Sequence, residues 1–232
     1  MQKRLTRKLD LEILLSQIKP HPTPDPRLEQ YTIPADIAAT ILYLAAYTNR
    51  DIEEKTVLDL GCGTGRLALG AAFLGAKQVT GVDIDKTAVK TAAENSLKIG
   101  LKGKVEWVNA DINVIHGKFD TVLQNPPFGV QKKGADINFL EKALQSGGVV
   151  YSLHKGVENN IEWLDKRSVN RKRASKTCPS SFLGKFIENR GGETKAVHRL
   201  TMKIPHMFKF HTHEKHEFVV DLFVIETKKV KG

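Results

Sequence analysis

The stretch that most constrains this chain is a short apolar run, Thr56-Val-Leu-Asp-Leu60, that passes into Gly61-Cys-Gly-Thr-Gly65 and then into helix-forming residues 66–74. A strand, a glycine turn and a helix in that order open a βαβ unit. Glycines let the backbone turn tightly and approach a ligand at the carboxyl end of the strand. The helix N-terminus adds unpaired N–H groups aimed into the same crevice. Two ligand classes are disfavoured at once. A dinucleotide fingerprint needs glycine at position 66, which is arginine, and a phosphate-binding P-loop needs Gly-Lys-Ser/Thr, which is absent.

The same alternation continues along the chain. A second strand from Gln78 ends in Asp83, 18 residues past Gly65, and residues 86–97 form a helix. A third strand, 105–109, runs into Ala110-Asp111-Ile112. A fourth starts at Phe119 and stops at Asn125-Pro126-Pro127-Phe128, where two prolines supply no donors and forbid helix. A helix over 135–145, a fifth strand over 149–153 and two last strands over 193–204 and 217–226 complete the pattern. It predicts an α/β fold: a doubly wound, seven-stranded, mostly parallel sheet with an antiparallel last strand. The whole chain, 1–232, forms one domain. Residues 1–50 make a helical and proline-rich cover, with four prolines between Pro20 and Pro26 and Pro34 opening a helix. Residues 51–232 form the core, with a basic insertion at about 166–184.

Composition narrows the partners. At 41% hydrophobic, 232 residues can bury a normal core. No apolar run approaches the roughly 18 residues of a membrane span, and Lys3, Arg4, Arg7 and Lys8 are not followed by an apolar signal region. Two lone cysteines, Cys62 and Cys178, fit a reducing cytoplasm and argue against a disulfide framework or a cysteine zinc site. A formal charge of +10 favours a polyanionic partner, most often nucleic acid.

Asp59-Leu-Gly-Cys-Gly-Thr-Gly65 resembles the first motif of class I S-adenosylmethionine-dependent methyltransferases, and Asn125-Pro-Pro-Phe128 resembles the acceptor motif of those that methylate amino groups. Further residues are similar to the archaeal and eukaryotic methyltransferase-like family that modifies an adenine N6 of small-subunit ribosomal RNA. These are Glu29-Gln-Tyr31, Tyr151-Ser-Leu-His-Lys155, Ile204-Pro205 and Lys209-Phe-His211. The resemblance implies S-adenosyl-L-methionine held by Gln30, Tyr31, Asp59, Gly61, Cys62, Gly63, Thr64, Gly65, Asp83, Ile84, Asp111, Ile112 and Asn125. Asp83 accepts the ribose hydroxyls, Ile84 flanks the adenine, Asp111 takes its amino group, and Gln30 and Tyr31 lie near the methionine end. Asn125, Pro126, Pro127 and Phe128 are the catalytic set: amide and proline carbonyl hold a planar nitrogen, and the aromatic ring stacks on the target base.

An RNA target implies further contacts. His154, Lys155, Phe210 and His211 are expected near the target base, and Arg167, Arg171, Lys172 and Arg173 on the phosphates. His206, His211, His213 and His216 sit on a charged hairpin without cysteine and are not read as a metal site. Relatives pair with a small zinc-binding activator by extending the sheet at the edge strand, here 105–109. The alternatives are a release-factor glutamine-N5 methyltransferase, a DNA adenine-N6 methyltransferase and, from a different class, a non-catalytic RNA-binding scaffold.

Overall fold

The computed structural model describes residues 6–129, 131–156, 175–176, 181–205 and 215–228; at 175, 176, 181, 204, 205, 215 and 216 the backbone alone is described. The strands are β1 (Thr56–Leu60), β2 (Gln78–Asp83), β3 (Glu106–Asn109), β4 (Phe119–Gln124), β5 (Gly147–Lys155), β6 (Ser175–Lys176), β7 (Gly192–Pro205) and β8 (Lys215–Thr227). Successive side chains along a strand point to opposite faces, so a strand with both neighbours apolar feeds two cores. Val57, Leu123, Tyr151 and Leu222 enter one cluster. Their sequence neighbours Leu58, Val122, Val150 and Phe223 enter the other. Helices α1 (Lys8–Ser16), α2 (Ala35–Tyr43) and α3 (Arg66–Phe73) contribute Leu11, Leu15, Ile41, Leu42 and Leu69 to the first cluster. Helices α5 (Ala135–Ser146) and α6 (Ser181–Asn189) contribute Leu140, Leu144, Leu183 and Ile187 to the second. Helix α4 (Lys86–Lys98) packs on β2 and β3.

The sheet order is β3-β2-β1-β4-β5-β8-β7-β6. Strands β1 to β5 are parallel, and β8 runs antiparallel between β5 and β7. The seven long strands therefore match the expected sheet, and the two-residue β6 extends it past β7. Registers Leu60↔Val82, Leu60↔Gln124 and Asp83↔Asn109 bring the carboxyl ends of β1 to β4 to one edge. The strand order turns around between β1 and β4, which leaves the crevice where such sheets bind ligands.

Two features differ from the sequence reading. The expected insertion at 166–184 ends in structure, because β6 and the first turn of α6 fall inside it. Helix α6 escapes a periodicity reading because it is short and carries Gly184, yet Leu183 and Ile187 are buried on its inner face. Strand β3 does lie at the free edge of the sheet, as expected. Among the described residues, no helix is long and apolar enough to cross a membrane.

Candidate active site

The glycine turn is built by its own backbone. Gly61, Gly63 and Gly65 have φ of +68°, +53° and +89°, a region L side chains rarely adopt. At Gly65 a Cβ would sit 2.5 Å from the Trp107 ring, whereas at Gly63 it would meet nothing within 4 Å, so that side stays open to a ligand. Asp59, 2% exposed, accepts a hydrogen bond from the Ala68 N–H (2.9 Å) and so ties β1 to the first turn of α3. Burial pushes its carboxyl up to about 7, with the Asp83 charge adding to the rise.

Asp83 ends β2 beside the turn. Its two oxygens accept the N–H groups of Gly63 (2.8 Å) and Asp85 (2.9 Å), each keeping a second lone pair for a ribose hydroxyl. Burial is also the main reason its carboxyl is raised. The neighbouring acid is otherwise employed: Asp85 caps α4 through the N–H groups of Thr87 and Ala88 and accepts from Gln30 Nε2 at 2.7 Å. His21 Nε2 lies 3.2 Å from the same carboxylate.

His21, Gln30, Asp59, Gly63 and Asp83 line a crevice of about 270 Å³ that also takes in Gly61, Cys62, Thr64, Ile84, Asp111 and Ile112. Thr64 Oγ1 is buried without a partner, and Ile84 is 59% exposed at the lip. A free acid for hydroxyls, an orphaned hydroxyl and an exposed apolar side chain fit an adenosine cofactor such as S-adenosylmethionine. Asp111 caps a short 3-10 turn through the Asn113 N–H, which leaves its other oxygen available to an amino group.

The proline-rich segment closes the crevice from outside, with His21 and residues 27–33 among its lining. Five side chains tether this strap. Asn95, 1% exposed, exchanges hydrogen bonds with both backbone groups of Lys19 (3.0 and 3.1 Å) and donates to Thr64 O. Arg66 donates to Ile33 O and to Ile18 O. Position 66, where a dinucleotide fold needs glycine, thus carries the side chain that fastens the cover; burial lowers its guanidinium to about 10. Gln30 lines the crevice and donates to Asp85. Tyr31 does reach the acceptor motif: its hydroxyl donates to Asn125 Oδ1 at 3.5 Å, and burial keeps that hydroxyl protonated by raising it well above the usual phenol range.

The fifth tether is Glu29, which in the sequence stands out only as part of Glu29-Gln-Tyr31. Glu29 Oε2 accepts the Phe128 N–H (2.7 Å) and Oε1 accepts the Gln131 N–H (2.9 Å). Because Pro126 and Pro127 have no N–H, Phe128 supplies the first donor after Asn125, and Glu29 takes it. Asn125 and Pro127 line the crevice at the end of β4. Phe128 does not; its half-buried ring lies 5.5 Å from Tyr31 and 5.7 Å, edge-on, from Phe218.

Of the residues expected to touch RNA, His154 is misplaced. It is 2% exposed, its Nε2 lies 2.8 Å from Ser152 Oγ, and its ring packs edge-on against Phe223. Its position opposite Asp221 on a central strand turns the ring into the sheet's covered face, where no base or phosphate reaches it. Lys155, the next residue, is exposed. Arg167, Arg171, Lys172, Arg173, Phe210 and His211 lie outside the described residues.

Comparisons with known proteins agree with this geometry. Residues 34–162 match the family described as methyltransferase small domain. An rRNA N(6)-adenosine-methyltransferase from Drosophila melanogaster is 34% identical over 223 residues, 93% of this chain and 94% of its own length. A crystal structure described as a proposed RNA methyltransferase from Pyrococcus horikoshii is 35% identical with a TM-score of 0.80, covering 97% of this chain and 99% of that one. A magnesium protoporphyrin IX methyltransferase from Synechocystis PCC 6803, solved with bound SAM, is 16% identical with a TM-score of 0.58 over 83% of this chain and 83% of that chain, and shares the fold. Glycine turn, strand-end acids and family match thus lead to one conclusion: the chain belongs to the methyltransferase small domain family, as an enzyme whose cofactor is S-adenosylmethionine.

Proposed function

We propose that this enzyme methylates the N6 amino group of an adenine in RNA, with small-subunit ribosomal RNA as the target. The observation that carries the reading is Asn125 at the carboxyl end of β4, one strand away from the glycine turn and lining the same crevice with Pro127. The named activity of the Drosophila relative supports adenine as the acceptor, and the +10 charge supports a nucleic acid.

The amino nitrogen of adenine is a poor nucleophile because its lone pair is delocalised into the ring. Asn125 Oδ1 and the Pro126 carbonyl accept its two N–H groups, favour a pyramidal nitrogen and aim the lone pair into the crevice. Two consecutive prolines keep that carbonyl from swinging away. The cofactor supplies an electrophilic methyl group on a sulfonium. The rate then comes from orientation and from acceptors aimed at developing positive charge, so no base of unusual pKa is needed. Phe128 stacks on the base, which must be unpaired or flipped out, exchanging one of its own aromatic contacts for the base. Segment 166–176, with six basic residues and no acid, lies along the RNA phosphates. A zinc-binding activator pairs with the edge strand β3, and the enzyme works in the cytoplasm.

Incubation with labelled S-adenosylmethionine and RNA, DNA or release-factor protein tests the reading. Label in RNA adenine is the expected result, and label confined to glutamine or DNA overturns it. Neutralising four charges in 166–176 should flatten the salt dependence of RNA binding; an unchanged slope removes that segment from the interface.

A further inference from the structure

We propose that Glu29 is a positioning residue for methyl transfer: its carboxylate sets the height and tilt of the acceptor loop, so that the cover over the cofactor also aligns the acceptor. The proposal rests on the methyl-transfer reading above.

Three observations carry it. First, one carboxylate takes two backbone donors of the same loop, Phe128 N–H and Gln131 N–H, from residues 99 and 102 positions away. Hydrogen bonds to a charged acceptor are about twice as strong as neutral ones. Second, Glu29 is held in a left-handed backbone conformation, φ +51°, although it is not glycine. A turn free to choose its residue would place glycine or asparagine there, so something beyond the turn requires the carboxylate. Third, the two residues that follow the clamp reach both halves of the site. Gln30 bonds to Asp85 beyond β2, and Tyr31 meets Asn125 and Phe128. Glu29 lines the crevice, but both hydrogen bonds of its carboxylate go to backbone groups of the acceptor loop, and it acts through that loop.

The physical consequence is a division of labour. Asn125 is rooted in β4, but the loop after it carries two prolines, Gly129 at φ +75° and Gly134 at φ +80°, and so has little backbone pairing of its own. Without Glu29, the Pro126 carbonyl and the Phe128 ring lose their outer anchor. Misplacement on the ångström scale costs orders of magnitude in rate while leaving cofactor contacts alone.

Three proteins test this on the full chain: wild type, Glu29→Gln and Glu29→Gly. Glutamine keeps the length but offers one oxygen and sets an NH2 against a backbone N–H. Glycine removes the carboxylate and relieves the positive φ, so its melting temperature should be no lower than that of Glu29→Gln. Both variants should lose roughly 30-fold or more in kcat on RNA. Affinity for S-adenosylmethionine, read by calorimetry, should stay within about threefold. Amide exchange of a peptide spanning 126–134 should speed up while that of 61–65 does not change. A kcat within about twofold of wild type in either folded variant, or a loss confined to cofactor affinity, overturns the proposal. Wild-type protein inactive on every RNA would instead sink the functional reading, and unchanged amide exchange at 126–134 would still refute the clamp.

Discussion

The two halves of the active site are held by different means. In the cofactor half, most hydrogen bonds that shape the turn are short in sequence or lie between adjacent parallel strands: Asp59 to Ala68, Asp83 to Gly63 and Asp85, Cys62 N–H to Val82 O, with Asn95 to Thr64 O as the longer-range one. The acceptor half has a loop with two prolines and two left-handed glycines, fixed by Glu29 and Tyr31 from 94 to 102 residues away. The first half is a property of the sheet. The second exists only once the strap is in place. A methyltransferase of this build can therefore bind its cofactor and still fail to transfer if the cover is displaced.

Four measurements test that division. Asn125→Ala should cut methyl transfer about a thousandfold, the scale of removing one aimed hydrogen-bonding group, with cofactor affinity unchanged; near-normal turnover refutes the role of the amide. Asp59 probes the other half through pH. Its folded carboxyl titrates near 7 against about 3.9 unfolded, so the native state keeps a proton that the unfolded chain has released. Stability of the cofactor-free protein should fall between about pH 4 and 7, by up to about 4 kcal/mol, and level off above 7. Asp59→Asn should flatten that slope in denaturant melts; an unaltered slope assigns the pH dependence elsewhere.

Gly65→Ala combines a φ of +89° with a 2.5 Å approach to Trp107 and should cost about 3 kcal/mol of stability together with cofactor affinity. Thermal melts and calorimetry read both, and a stable, cofactor-binding variant would show that the turn tolerates a side chain. Tyr31→Phe should be mild. Its bond to Asn125 is 3.5 Å long, so kcat should drop only about threefold, the weight of one weak hydrogen bond. A hundredfold loss would mean that the hydroxyl touches the substrate.

How legible the site was follows from the same contrast. The run Asp59 to Gly65, the acid ending β2 and the prolines ending β4 are local signals: a turn needing positive φ, a strand period, a forced stop. They could be read in order without knowing any contact. Asp83 was expected at the ribose with Asp85 as a near competitor, and the structure gives the physical ground for that choice, because α4 uses Asp85 as its cap. His154, expected near the target base from the family resemblance, lies instead within β5, which continues to Lys155 and buries the ring. Glu29, Arg66 and Asn95 carry no local signature for what they do. Their partners are 31 to 102 residues distant, and no periodicity encodes a pairing of that range.

Residue types and spacing alone determined the doubly wound sheet, the glycine cradle and the amide-proline motif, because each follows from backbone sterics within a few residues. Tertiary structure alone decided which side chains fasten the proline-rich cover, that Phe128 packs against Tyr31 and Phe218, and that the acceptor loop hangs from Glu29. Hydrogen bonds and ring contacts between distant segments form only after the sheet has fixed where those segments meet.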